Sequence, residues 1–337
     1  MSDDEWMQLA LDQARRGLGK TSPNPAVGAV IVKKGKLLSK GYHKKAGGPH
    51  AEIAALRNLA KKNAARGTTL FVTLEPCSTH GRTPPCCEAI IAAGCTRVVI
   101  GATDPNPKHA GRGVDILKKA GIEVTSGICA DACQRLNAGW NHWIIARRPW
   151  VIAKYAMSLD GRLTRPPGES QWLTGEKAFR DVHLLRSRVD AILVGAETVR
   201  TDNPQLNVRG IRGAHQPWRI VLTRSGNLPK EAHLFTDEHK ERTLVFRNQS
   251  LSAVLRELGK REITTVLIEG GGAVLGEALD KKLIHHVVAY SAPILCGGPL
   301  MALGGRGAKN SQESARILNP TYTRLGNDLR MEGDVAF

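Results

Sequence analysis

Short apolar runs alternate with helix-forming segments along most of the chain. In the first half the pattern predicts helices over residues 3–16, 51–65, 84–94 and 114–120, and strands over residues 26–33, 37–42, 69–74, 97–101 and 122–126. In the second half it predicts helices over residues 176–188, 251–258 and 273–279, and strands over residues 151–156, 191–195, 219–223, 265–269 and 285–290. Strands that alternate with helices are typical of layered domains, so we expect an α/β fold.

The composition changes after Ala146, where the basic pair Arg147-Arg148 and Pro149 precede a new strand. A chain of 337 residues holds about two domains. We therefore predict one domain over residues 1–147 and a second over residues 148–337. Each is long enough to bury a core without disulfides.

The charge is strongly basic, with 48 Lys and Arg against 31 Asp and Glu, a net charge of +17. Such a charge favours anionic partners or reflects a solvated basic surface. No apolar run approaches the roughly 20 residues of a membrane span, and the acidic first five residues differ from a signal peptide. We therefore expect a cytoplasmic protein, in which the seven cysteines are candidates for metal binding or catalysis.

The strongest chemical signal joins two segments. The sequence P-H-A-E at residues 49–52 opens one predicted helix, and E-P-C at 75–77 is followed by P-P-C-C at 84–87, where another begins. One imidazole and two thiolates suit zinc, which takes four ligands, and three protein ligands leave one position open for water. Zinc lowers the pKa of water toward about 7, and Glu52 can then move protons as a general acid and base.

Several ligand sets agree with this spacing. Cys77 with Cys86 is favoured, because Cys86 stands at the helix start whereas Cys87 points about 100° further round, toward the core. His80 with one cysteine gives a His2Cys site. A structural zinc site, or no metal, is the remaining alternative, but a structural site normally has four protein ligands and needs no adjacent glutamate.

The pattern resembles the zinc-dependent cytidine and nucleobase deaminases, whose signature is H-x-E followed by P-C-x-x-C. Three longer segments resemble the deaminase half of the bifunctional riboflavin-biosynthesis enzyme: E-P-C-S-T-H-G-R-T-P-P-C-C at residues 75–87, S-P-N-P-A-V-G at 22–28 and D-P-N-P at 104–107. The resemblance covers most of residues 1–147. The sequence departs from the family at Thr79, a position where the family usually has a histidine. In this chain the histidine stands one position later, as His80.

The resemblance implies a cytidine-deaminase-like three-layer domain with Glu52 as the catalytic residue and His50, Cys77 and Cys86 as zinc ligands. The substrate would be 2,5-diamino-6-ribosylamino-4(3H)-pyrimidinone 5′-phosphate, from which water displaces the 2-amino group as ammonia. Contacts with it are expected from Asn24, Asp104 and Asn106, with Arg82, His80 and His43 as candidates for the phosphate. Both asparagines also precede prolines, a step that commonly starts turns.

The second half resembles the reductase half of the same enzyme over most of residues 150–295. Three segments carry this resemblance: K-Y-A-M-S-L-D-G-R at 154–162, G-E-S-Q-W-L-T at 168–174 and D-N-P-Q-L-N-V-R at 202–209. It implies a dihydrofolate-reductase-like α/β domain that uses NADPH. The match weakens at L-T-R-S, residues 222–225, where the family commonly has an Asp-Ser pair, and Arg224 is there a candidate for the 2′-phosphate of the cofactor. No G-x-G-x-x-G follows a strand, which disfavours a Rossmann site. The last 40 or so residues fit the family poorly.

Two interpretations fit the sequence V-L-I-E-G-G-G at residues 266–272. Its glycines either let backbone N–H groups approach a phosphate or form a tight turn between a strand and a helix. The resemblance implies cofactor contacts from Ala156, Trp172, Thr198, Asp202, Gly271, Gly272, Ala273, Val274, Leu275 and Gly276, although Trp172 could equally be a core aromatic. It implies substrate contacts from Ser170, Arg186, Leu206, Arg209 and Glu269. Hydride would pass from nicotinamide C4 to C1 of the ribose imine, giving 5-amino-6-(5-phospho-D-ribitylamino)uracil. Lys154 either protonates or polarises the imine or is a strand lysine that reaches solvent.

Two other classes of protein compete with this interpretation. A nucleic-acid base deaminase would suit the charge but leaves the reductase-like half unexplained. An RNA-binding protein with a structural zinc would need a basic and aromatic stripe on which bases stack, and the chain has none. We therefore predict a small pyrimidine ribosyl phosphate as the partner, with no nucleic acid, no membrane and a possible homo-oligomer.

Overall fold

The fold is taken from a computed structural model, which describes residues 1–79, 84–107, 109–163 and 173–337. The chain divides into two compact units, Met1–Arg147 and Arg148–Phe337. Within the described residues, no helix combines the length and the apolar character needed to cross a membrane. Each unit has its own sheet and its own core, so each is described by itself.

The first unit is built on a five-stranded sheet. Its helices are α1 (Asp3–Arg15), α2 (Ala51–Arg57), α3 (Cys86–Ala93), α4 (Arg112–Lys119), α5 (Ala130–Leu136) and α6 (Ala138–Ala146). Its strands are β1 (Gly28–Lys33), β2 (Lys36–Tyr42), β3 (Thr69–Leu74), β4 (Arg97–Ala102) and β5 (Glu123–Ser126). The strand order is β2-β1-β3-β4-β5, in which β1 is antiparallel to β2 and β3, whereas β3, β4 and β5 are parallel.

Side chains that alternate along these strands pack into two separate hydrophobic cores, one on each face of the sheet. On β1, Val30 packs with Leu11 of α1 on one face, and Ile31 packs with Ile90 of α3 and Leu117 of α4 on the other. Successive strand residues point to opposite faces, so a strand buried on both sides needs helices above and below it. The arrangement confirms the predicted three-layer α/β architecture.

The prediction of one helix over residues 51–65 is wrong. Helix α2 ends at Arg57, and a short 3-10 helix, Lys62–Ala65, follows after a break. Asn58 ends α2, and its side-chain amide donates to the carbonyl of Lys40 at 2.9 Å. Asparagine favours helix ends because its side chain competes for backbone hydrogen bonds, which explains the early stop. Helices α5 and α6 were not predicted.

The second unit is built on an eight-stranded sheet. Its helices are α7 (Glu176–Arg186), α8 (Ala196–Asp202), α9 (His233–Thr236), α10 (Leu251–Lys260) and α11 (Gly272–Asp280). Its strands are β6 (Trp150–Ser158), β7 (Ala191–Gly195), β8 (Trp218–Thr223), β9 (Thr243–Arg247), β10 (Thr265–Ile268), β11 (His286–Ala292), β12 (Arg316–Leu325) and β13 (Asp328–Ala336). The order is β12-β13-β11-β6-β10-β7-β8-β9.

The six strands β11, β6, β10, β7, β8 and β9 are all parallel, and at the edge β13 runs antiparallel to both of its neighbours, β11 and β12. Leu255 of α10 and Leu275 of α11 pack on one face of the sheet, and Val182 of α7 packs on the other. This second layered α/β domain agrees with the expected fold class. The last 40 or so residues, for which a poor fit to the family was expected from the sequence, include the β12–β13 hairpin, which pairs with β11.

Candidate active sites

A histidine and two cysteines converge where β3 ends and α2 and α3 begin. His50 caps α2, Cys77 follows β3, and Cys86 is the first residue of α3. The Nδ1 atom of His50 lies 3.2 Å from Sγ of Cys86 and 3.5 Å from Sγ of Cys77, and the three ligand atoms all lie within 4.8 Å of one another. Tetrahedral zinc, with bonds of about 2.0 Å to nitrogen and 2.3 Å to sulfur, places such atoms about 3.5 Å apart. The donor set and its spacing therefore fit zinc.

The sulfurs of Cys77 and Cys86 have pKa values shifted in opposite directions. The backbone N–H of Cys86 donates to Sγ of Cys77 at 3.2 Å, at the positive end of α3. The Cys86 thiol, with further help from His50, lowers the pKa of Cys77 to about 4. Its interaction with Cys77, together with burial, raises the pKa of Cys86. One sulfur is thus already suited to bind a cation without losing a further proton.

Glu52 stands in the first turn of α2, two residues after His50, and is buried. Burial raises the pKa of its carboxyl, which also contacts the Cys86 thiol. A carboxyl with a raised pKa beside three metal-binding atoms can both accept and return a proton. The structure therefore brings together Glu52 and the three predicted zinc ligands.

Cys87 faces away from this cluster. Its side chain is fully buried in the core that contains Ile90, and its Sγ lies 3.5 Å from the carbonyl oxygen of Pro76 and 3.7 Å from that of Gly113. Burial raises the pKa of Cys87 to about 12. This placement agrees with the expected orientation toward the core. The alternative ligand His80 and the phosphate candidate Arg82 lie outside the described residues.

His43 has a different role from the one predicted. Its buried ring donates from Nδ1 to the carbonyl of Pro49 at 3.0 Å and accepts at Nε2 from the side-chain amide of Asn24 at 3.2 Å, an assignment that these partners dictate. Burial lowers the pKa of His43, which favours the neutral ring. With both nitrogens engaged, the ring is not placed to bind a phosphate. Instead it orients Asn24 and supports the segment that carries His50.

Asp104 and Asn106 lie just after β4, beside the end of β3. The backbone N–H of Asn106 donates to the Asp104 carboxylate at 2.8 Å, and the backbone N–H of Asp104 donates to the Glu75 carboxylate at 3.2 Å. Burial raises the pKa of Asp104. The parallel pairing of β3 and β4 thus places both predicted substrate residues next to the segment that leads to Cys77.

In the second unit, Glu269 follows β10 and lies between two cations. Arg186 donates to it through Nε at 2.6 Å and through Nη2 at 2.8 Å, and Nζ of Lys154 lies 3.7 Å away. Burial alone would raise the pKa of Glu269, but these two charges hold it below the ordinary value. Two predicted substrate residues, Arg186 and Glu269, therefore meet, with Lys154 beside them.

The remaining described substrate residues lie on a segment that is fastened to α7. The Nη1 atom of Arg186 donates to the carbonyl of Asn207 at 3.1 Å, and the backbone N–H of Arg209 donates to Nδ1 of His183 at 3.0 Å. Leu206 is buried with a φ of +48°, a conformation that costs a non-glycine residue free energy. The predicted residue Ser170 lies outside the described residues.

The cofactor residues are only partly brought together. A Cβ at Gly270 would lie 3.0 Å from Oγ1 of Thr198, and one at Gly271 would lie 3.5 Å from it, so α8 meets the turn between β10 and α11. Gly271 has a φ of +67°. Asp202 is exposed at the end of α8, and Ala156 pairs with Tyr290. Arg224 is exposed after β8, and Trp172 lies outside the described residues.

Much of the predicted run from Gly271 to Gly276 faces the protein itself. A Cβ at Gly272 would lie 2.5 Å from the carbonyl oxygen of Met301, and one at Gly276 would lie 2.3 Å from the carbonyl carbon of Gly304. Leu275 is buried in the core, where Val274 packs against it. Gly271 and Ala273 are therefore the members of the run left accessible to a ligand, because the segment around Met301 and Gly304 covers the other face of α11.

Two family models match the chain, one for each unit. Residues 1–102 match the cytidine and deoxycytidylate deaminase zinc-binding region, and residues 149–329 match the RibD C-terminal domain. The first match contains all three converging metal-binding residues, and the second contains the Arg186–Glu269 pair.

Relatives are similar over almost the whole length. The riboflavin biosynthesis protein RibD of Aquifex aeolicus is 38% identical and covers 97% of each chain, and that of Escherichia coli is 40% identical over 90% of this chain and 91% of its own. The solved structure of Acinetobacter baumannii RibD matches with a TM-score of 0.91 at 39% identity, covering 99% of both chains. A diaminohydroxyphosphoribosylaminopyrimidine deaminase/5-amino-6-(5-phosphoribosylamino)uracil reductase from Thermotoga maritima matches with a TM-score of 0.91 at 35% identity, also covering 99% of both.

Proposed function

The chain belongs to the RibD family of riboflavin biosynthesis proteins, and we propose which of its residues perform the two reactions of that family. It is a bifunctional enzyme whose zinc-dependent unit deaminates the diaminopyrimidinone ribosyl phosphate and whose NADPH-dependent unit reduces the ribosyl side chain to ribityl. The site roles below are our proposal, and contacts described above support them except at Ser170 and Trp172, which lie outside the described residues.

For the deaminase, we assign zinc to Nδ1 of His50 and the sulfurs of Cys77 and Cys86. The observation that carries this assignment is the meeting of those three atoms within 4.8 Å, with buried Glu52 beside them. Zinc in such a site makes water a nucleophile at neutral pH. The Glu52 carboxylate accepts the proton of the attacking water and delivers it to the departing amine, so ammonia leaves as a neutral molecule.

Asn24, Asp104 and Asn106 are proposed to bind the substrate. Because the amide nitrogen of Asn24 donates to His43, its carbonyl oxygen has a defined direction and can accept from an N–H group of the pyrimidine. Asp104 and Asn106 occupy the carboxyl end of a parallel strand, the edge at which open α/β sheets bind ligands.

For the reductase, we propose that Arg186, Arg209 and Glu269, with the buried Leu206 and with Ser170, bind the ribosyl phosphate. Arg186, Arg209 and Lys154 outnumber the single carboxylate of Glu269, so the site has an excess of positive charge that suits a phosphate. Burial lowers the pKa of Lys154, although Glu269 opposes the shift, so its Nζ can release a proton to the imine nitrogen more readily than an exposed lysine.

NADPH supplies the hydride when it is bound. Thr198, Gly271 and Ala273 are proposed to line its site, because α8 and the start of α11 meet there and neither Gly271 nor Ala273 is covered by the segment around Met301. Ala156, Asp202 and Trp172 complete the proposed set. Helix α11 begins at Gly272, and because a helix N-terminus favours a negative charge, we propose that a phosphate of the cofactor binds near this end of the helix.

A single assay tests the proposed function. The purified chain is mixed with the diaminopyrimidinone ribosyl phosphate and NADPH, and ammonia release is followed together with absorbance of the nicotinamide. We expect one ammonia released for each NADPH oxidised, with ammonia appearing first. A zinc chelator should stop ammonia release but leave NADPH oxidation intact when the deaminated intermediate is supplied. Oxidation of NADPH with no ammonia from the diamino substrate would contradict the proposal.

A further inference from the structure

Glu75 connects the metal-binding segment to the chain that follows β4. Its side chain is buried, with 6% of the residue exposed, and it accepts four backbone N–H groups. Asp104 and Gly111 donate to Oε2 at 3.2 and 3.0 Å. Gly113 and Val114 donate to Oε1 at 2.9 and 3.4 Å. Four donors occupy the lone-pair positions of both carboxylate oxygens, which leaves Glu75 no capacity to contact a substrate.

A second contact joins the same two parts of the chain. A Cβ at Gly113 would lie 2.3 Å from the carbonyl oxygen of Pro76, so the first turn of α4 is pressed against the residue before Cys77. Sγ of Cys87 lies between the carbonyl oxygens of Pro76 and Gly113, at 3.5 and 3.7 Å. The carboxylate also lies at the positive end of α4, where a negative charge is stabilising. Hydrogen bonds and close packing thus each fix the distance between the first turn of α4 and the segment that leads to Cys77.

We propose that Glu75 is a positioning residue of the deaminase, which sets the distance between the zinc-binding sulfur of Cys77 and the substrate-binding segment of Asp104 and Asn106. This inference rests on the proposed function of those residues. Glu75 lies two residues before Cys77, and its Oε2 holds the backbone of Asp104 directly. A displacement of about 1 Å between a reacting centre and the groups that position its substrate can cost up to about 100-fold in kcat/KM, so a rigid link at this place affects function.

The test is Glu75→Gln, compared with Glu123→Gln in the same unit. Glutamine keeps one acceptor oxygen but presents an NH2 group to the remaining donors, so the segment after β4 should move away from Cys77. We expect the KM of deamination to rise about tenfold while kcat stays within about threefold, because binding contacts are lost and the zinc chemistry is kept. Zinc should remain at one per chain, and reductase kinetics should be unchanged. Glu123 is 69% exposed and pairs with Arg97, so its variant should behave as the wild type.

A second variant, Gly113→Ala, places a Cβ 2.3 Å from the carbonyl oxygen of Pro76 and 3.2 Å from Oε1 of Glu75, so α4 must shift although the carboxylate is retained. It should raise the deaminase KM in the same direction. In an Asn106→Ala background, Glu75→Gln should raise the deaminase KM by a smaller factor than it does in the wild type. Both changes weaken the same proposed contact, the one between Asn106 and the substrate. An unchanged KM in Glu75→Gln would overturn the positioning role, and so would loss of zinc from both variants, which indicates a structural role only. Failure of the wild type to release ammonia would instead refute the proposed function.

Discussion

Arg186 and Glu269 form a bidentate ion pair inside the second unit, with Nε–Oε1 and Nη2–Oε2 distances of 2.6 and 2.8 Å. Their side chains are 8% and 3% exposed. A planar guanidinium matched to a carboxylate in this way is among the stronger hydrogen-bonded pairs in proteins. The pair joins the last residue of α7 to the end of β10, which is where we propose that the sugar phosphate binds.

Arg186→Ala should damage the reductase through both stability and binding. Removing one partner leaves Glu269 buried with a single weaker neighbour, Lys154, and should destabilise the second unit by about 3 kcal/mol. The KM for the deaminated substrate should rise, whereas ammonia release should be unchanged. Steady-state kinetics of both reactions and urea unfolding measure these effects. The matched control is Arg180→Ala on the same helix, whose pair with Glu176 is exposed. Equal loss of both activities in Arg186→Ala would contradict the assignment.

Glu52→Gln should separate metal binding from proton transfer. The amide is nearly isosteric and is not a zinc ligand in our assignment, so zinc content should stay at one per chain. Ammonia release should fall by about 100- to 10,000-fold, because an amide cannot accept the proton of the attacking water. Metal analysis and an ammonia assay on the same sample distinguish loss of zinc from loss of proton transfer, and the reductase rate is the internal control. Retention of full deaminase activity would exclude Glu52 as the acid and base.

Cys86→Ala and Cys87→Ala form a matched pair of adjacent substitutions. Cys86→Ala should lose zinc and deaminase activity, because it removes one of the three converging atoms. Cys87→Ala should keep both and lose only about 1 kcal/mol of stability, since it removes a small buried side chain. Zinc stoichiometry measured on the two purified variants distinguishes them. The reverse result would move the ligand assignment by one residue.

Local sequence was sufficient for the metal cluster and the strand that leads to it. Strand β3 has the predicted bounds because its apolar run is buried along nearly its whole length. Helix α3 begins after Pro85 and ends at Ala93, where Gly94 follows with a φ of +75°, and both proline and glycine favour those helix boundaries. His50 and Cys86 are 36 positions apart, but the cluster was predictable because its residue types form a two-part zinc-binding pattern and each ligand lies near the boundary of a predicted element.

Long-range contacts could not be predicted in the same way. Arg186 and Glu269 are 83 positions apart, and Glu75 contacts residues 29 to 39 positions away. No local periodicity encodes such pairs, because they depend on which strands become neighbours in the sheet. Strand β12 was also missed, because its residues are mostly exposed and so have no apolar alternation to reveal them.

Gly276→Ala should destabilise the second unit, although alanine normally favours a helix over glycine by up to about 1 kcal/mol. Here the new Cβ would lie 2.3 Å from the carbonyl carbon of Gly304, so the segment that covers α11 must move. We expect a loss of about 2 kcal/mol, measured as a fall in Tm. The control is Gly175→Ala, where φ is −82° and the nearest atom is 3.5 Å away, and which should be neutral or slightly stabilising. A rise in Tm for Gly276→Ala would show that this close contact is absent in solution.

His286 on β11 lies between two carboxylates of β13. Its Nδ1 is 2.7 Å from Asp334, and its Nε2 is 3.6 Å from Glu332, which is also paired with Arg330. Burial lowers the pKa of His286, but the two carboxylates outweigh burial, and the net pKa is raised above 6.5. The charged imidazole in turn lowers the pKa of Glu332. Protonation of His286 therefore strengthens the attachment of the C-terminal hairpin to the sheet.

Because the pKa of His286 is raised in the folded state, the stabilisation from its pairing with the two carboxylates is fully present below about pH 6.5. It is lost as the pH rises through the folded-state pKa. The substitution His286→Gln should therefore cost about 1 kcal/mol of stability near pH 5.5 and much less near pH 9. The measurement is the urea midpoint for loss of reductase activity in both proteins at both pH values. His233→Gln, at an exposed histidine of the same unit, is the control and should show no such difference. A penalty that stays constant or grows with pH would show that His286 is not charged by its two carboxylate neighbours.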